Sequence, residues 1–262
     1  MQLAGKKAVV LGASAEGGTG WAIAEGLARE GVQVIVAART LHELERLAQR
    51  IGGHAFACDG GCEADLVQLG AFAAQRFGRI DIAVNSAGLP MLGTIDTLTS
   101  DELQRALDVN YLGNVWFIRE MTRIMNDGGS VVVISSNSTT QPILPHMAYA
   151  CAKSAADCLV RYAALECGAR GIRVNSLLPG PIKSHMARDL WAIPGVEDIF
   201  AKEVPLGRIG LPEDYANAVI WLSGPAFVTG LNLPVNGGNQ LTRSPRPDEL
   251  PLGQQSFEGD FR

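Results

Sequence analysis

The feature that most constrains this chain is an alternation. Short apolar runs at 8–11, 32–37, 54–57, 80–85, 130–135, 173–178 and 231–235 are separated by stretches with helical spacing or length at 21–30, 41–51, 63–77, 100–125, 148–168 and 212–223. Runs such as Val131-Val132-Val133-Ile134 show no polar alternation. A strand of that kind must be covered on both faces, which happens when helices pack on both sides of a parallel sheet. The pattern therefore predicts a doubly wound α/β architecture, with one seven-stranded, mainly parallel sheet flanked by helices.

No linker or charge block interrupts this alternation before about residue 239, and 262 residues with 47% hydrophobic composition suffice for one sizeable core. We expect a single domain over 1–240, with a flap at about 184–205 and a C-terminal tail over 241–262. Pro245, Pro247 and Pro251 keep that tail out of any sheet, so it is either loose or pinned on its own or a neighbouring subunit. A net charge of −5 argues against a nucleic-acid partner. No stretch reaches the roughly 18 apolar residues of a membrane span, and residues 1–7 lack the apolar segment of a signal peptide; a cytoplasmic protein is the expectation. Cys58, Cys62, Cys151, Cys158 and Cys167 form an odd set with no histidine cluster at zinc-like spacing, which predicts reduced thiols and no metal site.

Two constellations carry chemistry. The first run leads into Leu11-Gly12-Ala13-Ser14-Ala15-Glu16-Gly17-Gly18-Thr19-Gly20 and then a helix. Glycines at such a turn let backbone N–H groups approach a pyrophosphate resting on the helix N-terminus, although a tight turn with no ligand has the same composition. The second is Tyr149-Ala150-Cys151-Ala152-Lys153, whose phenol and ammonium share one helix face. Ser136 lies 13 residues before Tyr149 at the end of a buried run, and Asn110 lies in the preceding helix.

These residues in this order resemble the short-chain dehydrogenase/reductase family, and the resemblance extends over roughly residues 5–238. It implies a Rossmann-like fold, a nicotinamide cofactor and a reaction between a carbonyl and a secondary alcohol. The family's Thr-Gly-x-x-x-Gly-x-Gly loop is matched by Gly12, Ser14, Gly18, Thr19 and Gly20, but Leu11 replaces the Thr and two extra residues lengthen the loop. After the second run, Ala38-Arg39 stands where NAD users usually carry an Asp. A planar cation suits a 2′-phosphate, so NADP(H) is favoured over NAD(H), with Glu16 as the charge that opposes it. By the same resemblance Asp59 and Gly60 hold the adenine. Asn85, Ala87 and Gly88 match the family's Asn-Asn-Ala-Gly beside the adenosine ribose. Pro179, Gly180, Ile182 and Ser184 match the segment that holds the nicotinamide carboxamide. A dimer or tetramer built through 100–125 and 148–168 is also implied.

In the reaction so implied, Tyr149 passes a proton to the substrate oxygen, Ser136 donates a hydrogen bond to it, Lys153 binds the nicotinamide ribose, and Asn110 holds a water that links Lys153 to solvent. A tyrosine of pKa about 10 is a poor base at neutral pH. An ammonium roughly 5 Å away at an effective dielectric of about 20 favours phenolate by roughly 3 kcal/mol, or about 2 pKa units. Apolar residues at 89–92, 141–147 and 185–201 point to a hydrophobic or ring substrate. Three alternatives differ in their marks. A 3-oxoacyl thioester reductase docks an acidic carrier, which Asp127 opposes and Arg123, Arg170 and Arg173 do not. Enoyl reductases of the family separate Tyr and Lys by six residues instead of three. A nucleotide-sensing regulator without turnover would have lost the Tyr and Lys pair.

Overall fold

A computed structural model of the chain describes residues 3–251. Its seven strands run β1 Lys7–Leu11, β2 Gln33–Ala38, β3 His54–Ala57, β4 Ile80–Asn85, β5 Met125–Ile134, β6 Arg173–Pro179 and β7 Asn232–Val235. They form one sheet in the order β3-β2-β1-β4-β5-β6-β7. All six neighbouring pairs are parallel, so the sheet is wholly parallel among the described residues, where the sequence pattern implied only that it is mainly so. Order reverses between β1 and β4, and the crevice beyond the strand ends at that switch is where such sheets bind ligands.

The continuous apolar runs have a direct explanation in the packing. Val132 and Ile134 face one core, shared with Ile23 and Leu27 of α1 (Thr19–Arg29), Leu44 and Leu47 of α2 (Leu41–Ile51) and Val219 of α9 (Pro212–Ser223). Val131 and Val133 face the other, with Leu66 and Leu69 of α3 (Glu63–Phe77), Phe117 and Met121 of α5 (Gly113–Arg123) and Val160 of α6 (Met147–Cys167). Every β5 side chain in this run is thus buried, each contributing roughly 1.5–3 kcal/mol relative to exposure.

The long helix expected over 100–125 is in fact three pieces. α4 (Ser100–Leu107) opens with a capping box in which Glu102 N–H donates to Thr99 Oγ1 at 3.3 Å and Thr99 N–H donates to Glu102 Oε2 at 2.8 Å. It passes into a π turn over Asp108–Leu112 before α5 begins. One wide turn of this kind leaves the apolar spacing almost unchanged, which is why the sequence pattern reads through it.

Two short helices, α7 (Arg188–Trp191) and α8 (Val196–Lys202), build the flap. Val196, Phe200 and Ile209 form its own small core, against which Ile143, Leu190, Trp191, Ile193 and Leu250 pack. The described part of the tail, up to residue 251, is held on its own chain. Gln141 Nε2 donates to the carbonyls of Asn239 (3.1 Å) and Thr242 (3.0 Å), and Arg243 pairs with Glu203 at 2.9 Å and Glu249 at 2.6 Å. Residues 252–262 lie outside the described part of the chain, as does the side chain of Met186.

Candidate active site

The β1-to-α1 turn is shaped by backbone proximity. Gly12 sits at φ +86°, and a Cβ there would fall on the backbone of Ser86 and Ala87 at the end of β4. A Cβ on Gly20 would fall on the Gly12 carbonyl oxygen. Gly18 is the N-cap of α1, which starts at Thr19, two residues earlier than the apolar pattern indicates. The lengthened part of the loop leans toward α2: Glu16 accepts from Arg46 at 2.7 Å and lies 3.6 Å from Arg50. Its carboxylate is therefore engaged by cations.

Gly12, Ser14, Arg39, Asp59, Gly60, Ala87 and Gly88 line one cleft at the ends of β1, β2, β3 and β4. Ala38 is buried at its wall, while Arg39 is exposed and enters no ion pair among the described residues. Asp59 caps its own turn, accepting from Gly61 N–H at 2.9 Å, and lies 3.4 Å from Arg105 of α4. Arg105 and Val109 also line the cleft. Sequence reasoning missed both, because they come from a helix far along the chain with no local motif to mark them. Pro179, the last residue of β6, and Gly180, Ile182 and Ser184 just beyond it stand apart from that cleft. There the 181–183 segment pairs with Gly210, and Ile182 O accepts from Trp191 Nε1 at 2.8 Å, which ties the flap to this segment.

Asn85, buried at the end of β4, donates to Asn114 Oδ1 at 2.9 Å and accepts from Ala87 N–H at 3.0 Å. The π turn delivers Asn110 to the same place. Its side chain brackets Leu89, accepting from the N–H at 3.2 Å and donating to the carbonyl at 3.0 Å, with Ala106 O at 3.1 Å as a second acceptor. Both ends of the amide are thus spent on backbone.

Ser136 lies two residues past the end of β5 and caps a 3₁₀ turn over Asn137–Thr139. Tyr149 and Lys153 project from the first turns of α6, with the Lys153 Nζ 5.7 Å from the centre of the Tyr149 ring. Lys153 is buried and donates to Ile134 O at 2.8 Å. The residues of the chain hold Tyr149 as a phenol. Burial pushes it up to about 12, Asp157 pushes in the same direction, and the Ser136 hydroxyl pulls the other way. Burial brings Lys153 down to about 8, opposed by the Asp157 carboxylate. Burial thus works on Tyr149 against the lowering expected from the Lys153 ammonium.

Asp157 lies one turn beyond Lys153, is buried, and accepts from Ser176 Oγ at 3.1 Å; burial raises its own pKa. Sequence reasoning did not single it out. His146 is half-buried with its ring edge-on to Tyr149, centroids 6.3 Å apart, and burial lowers its pKa. It does not face solvent as a loop residue of its type usually does. All five cysteines are free thiols, and the described residues contain neither a cluster able to hold a metal ion nor a helix long and apolar enough to cross a membrane.

A family model described as enoyl-(acyl carrier protein) reductase matches residues 12–240. The chain is 31% identical over 246 residues to the D-threitol dehydrogenase of Mycolicibacterium smegmatis, covering 90% of this chain and 94% of that one. It is 34% identical over 248 residues to the 7alpha-hydroxysteroid dehydrogenase of Escherichia coli, with 91% and 95% covered. The solved structure of a short-chain type dehydrogenase/reductase from Mycobacterium ulcerans superposes with a TM-score of 0.90 at 29% identity, with 99% of each chain covered. Fold and relatives agree on the class, an oxidoreductase built on a Rossmann-like sheet. The chain belongs to the short-chain dehydrogenase/reductase family.

Proposed function

We propose that this chain interconverts a ketone and a secondary alcohol with NADP(H), in preference to NAD(H), and that its substrate is hydrophobic or ring-shaped. The observation that carries the reading is the convergence of Ser136, Tyr149 and Lys153 beside a cleft whose glycines leave backbone exposed to a ligand. The cleft fits a dinucleotide, because a Cβ at Gly12 would fill the approach between the first loop and the end of β4.

When bound, the reduced nicotinamide supplies hydride to the carbonyl carbon. Tyr149 gives its phenolic proton to the carbonyl oxygen, and Ser136 donates a hydrogen bond that fixes that oxygen. Lys153 spends one of three N–H donors on Ile134 O, which leaves two for the nicotinamide ribose and its surroundings. The Asn110 backbone carbonyl accepts from Asn114 Nδ2 at 2.8 Å, and it is the Asn110 group to which a water on the way to Lys153 would donate.

Three features support NADP(H): the uncharged Ala38, the exposed Arg39 with no ion pair among the described residues, and Glu16 held by Arg46 and Arg50. Arg39→Ala is expected to raise KM for NADPH about tenfold, a loss of about 1.4 kcal/mol, with KM for NADH nearly unchanged. Equal effects on both cofactors would place Arg39 on the adenine and remove the preference.

For the substrate, Leu92 and Leu144 remain exposed on the two loops that the Gly93 and His146 bridge joins, while most apolar side chains of the flap are used in its own core. A panel from short 3-oxo thioesters to bulky ring ketones, with Tyr149→Phe as the blank, separates the readings. Rates on ring ketones support the proposal. Rates confined to thioesters assign the chain to 3-oxoacyl reduction, and cofactor binding without turnover makes it a sensor. Tyr162 and Leu165 of α6 and Leu107 of α4 are exposed large hydrophobics, so a homodimer or homotetramer is expected by sedimentation equilibrium. A monomer at micromolar concentration would contradict this.

A further inference from the structure

We propose that Ser138 is a positioning residue that fixes the Ser136 hydroxyl so that its single proton is presented to the substrate oxygen. The inference rests on the carbonyl chemistry read for Ser136 above. Ser136 Oγ accepts two hydrogen bonds from the same residue, one from the Ser138 N–H at 3.2 Å and one from the Ser138 hydroxyl at 2.9 Å. A hydroxyl has two acceptor lone pairs and one donor proton. With both lone pairs occupied, Ser136 has only its proton left to offer. A ketone oxygen can only accept, so a serine restricted to donating is matched to it before the substrate arrives, and no rotamer or hydroxyl torsion has to be selected during the reaction.

The surroundings keep this arrangement exclusive. The Ser136 carbonyl accepts from Thr139 Oγ1 at 2.9 Å and from Thr139 N–H at 3.2 Å, which fixes the backbone of the turn. The Asn137 side chain is turned the other way, donating to Gln141 Oε1 at 3.0 Å and to Asn239 Oδ1 at 3.2 Å, while its own oxygen accepts from Asn236 at 3.0 Å. Gln141 and the segment after β7 therefore hold Asn137 out of the site. Among the described residues, Ser138 is left as the side chain that donates to Ser136 Oγ, whose own proton then faces the Tyr149 phenol beside which the substrate oxygen would sit.

The test compares Ser138→Ala, Ser138→Thr, Ser136→Ala and the Ser136→Ala/Ser138→Ala double variant with the unmodified chain, using NADPH and the best ketone of the panel. Ser138→Ala keeps the N–H contact and loses the hydroxyl contact. It is expected to lower kcat about tenfold with KM for NADPH unchanged, and Ser138→Thr is expected to restore most of the rate. Because Ser138 acts through Ser136, the double variant should be no slower than Ser136→Ala alone. Undiminished kcat in Ser138→Ala, or losses that add in the double variant, would overturn the proposal. Tyr149→Phe is measured alongside to separate the two levels of the argument. Absence of any Tyr149-dependent turnover in the unmodified chain removes the reading of the site and the proposal with it. Tyr149-dependent turnover that Ser138→Ala leaves intact removes the proposal alone.

Discussion

Replacing Tyr149 with phenylalanine is expected to lower kcat for carbonyl reduction by about 10³-fold while leaving NADPH affinity within about twofold, since general acid catalysis contributes roughly 10²–10⁴ in rate. The ring keeps its packing against His146 and its place beside Lys153, so only the proton donor is lost. The pH dependence follows from the two groups together. Tyr149 is held up at about 12, so its reductive, protonated form is present throughout the ordinary range and adds no limb of its own. Lys153 is brought down to about 8. Its ammonium is complete below that value and is lost as pH rises through it. The plot of kcat/KM for reduction should therefore be level at lower pH and fall toward about one decade per unit above about pH 8. Lys153→Met should be slow and should lack that limb. A limb that persists in Lys153→Met belongs to another group, and the role assigned to the ammonium then fails.

What could be read from the sequence, and what could not, divides along physical lines. Strands buried on both faces announce themselves as unbroken apolar runs, and all seven runs are strands in the structure. Tyr149 and Lys153 were legible as a pair because i, i+4 spacing puts two side chains on one helix face wherever that helix sits. The π turn at Asp108–Leu112 left no trace, because one wide turn barely disturbs the spacing of apolar residues. Yet it is this turn that carries Asn110 to Leu89. Arg105 and Asp157 were invisible for a different reason: each owes its place to elements distant in the chain, Arg105 to Asp59 after β3 and Asp157 to Ser176 on β6. The desolvation of Tyr149 is not legible in the sequence, because composition and spacing report the neighbouring charge but not the water excluded from around it. The tail lacked any periodic signal, and its anchors, Gln141 and Glu203, are residues whose partners only the folded chain defines.

Gly12→Ala should lower stability by about 3 kcal/mol and abolish measurable NADPH binding, whereas Gly17→Ala, five residues on in the same loop, should cost only about 1 kcal/mol and change the cofactor Kd by less than about threefold. Both glycines have left-handed backbone, φ +86° at Gly12 and +73° at Gly17, so both substitutions carry the strain of an L side chain there. The difference lies in what the new methyl group meets. At Gly17 nothing lies within 4 Å. At Gly12 it falls on the backbone of Ser86 and within 2.8 Å of Ala87 Cα, and a peptide backbone cannot rotate aside as a flexible side chain would. The Gly12 N–H is also fixed, donating to Ala37 O at 2.7 Å, so the loop cannot simply lift. The strand ends of β1 and β4 must part, and with them the two walls of the cleft that Gly12, Ala87 and Gly88 line. Thermal melts and NADPH fluorescence titrations of the two variants measure both consequences. If they behave alike, the close approach of the first loop to the end of β4 is not what builds the cofactor cleft. A wide gap between them assigns the cleft to that approach, separately from the strain of the turn.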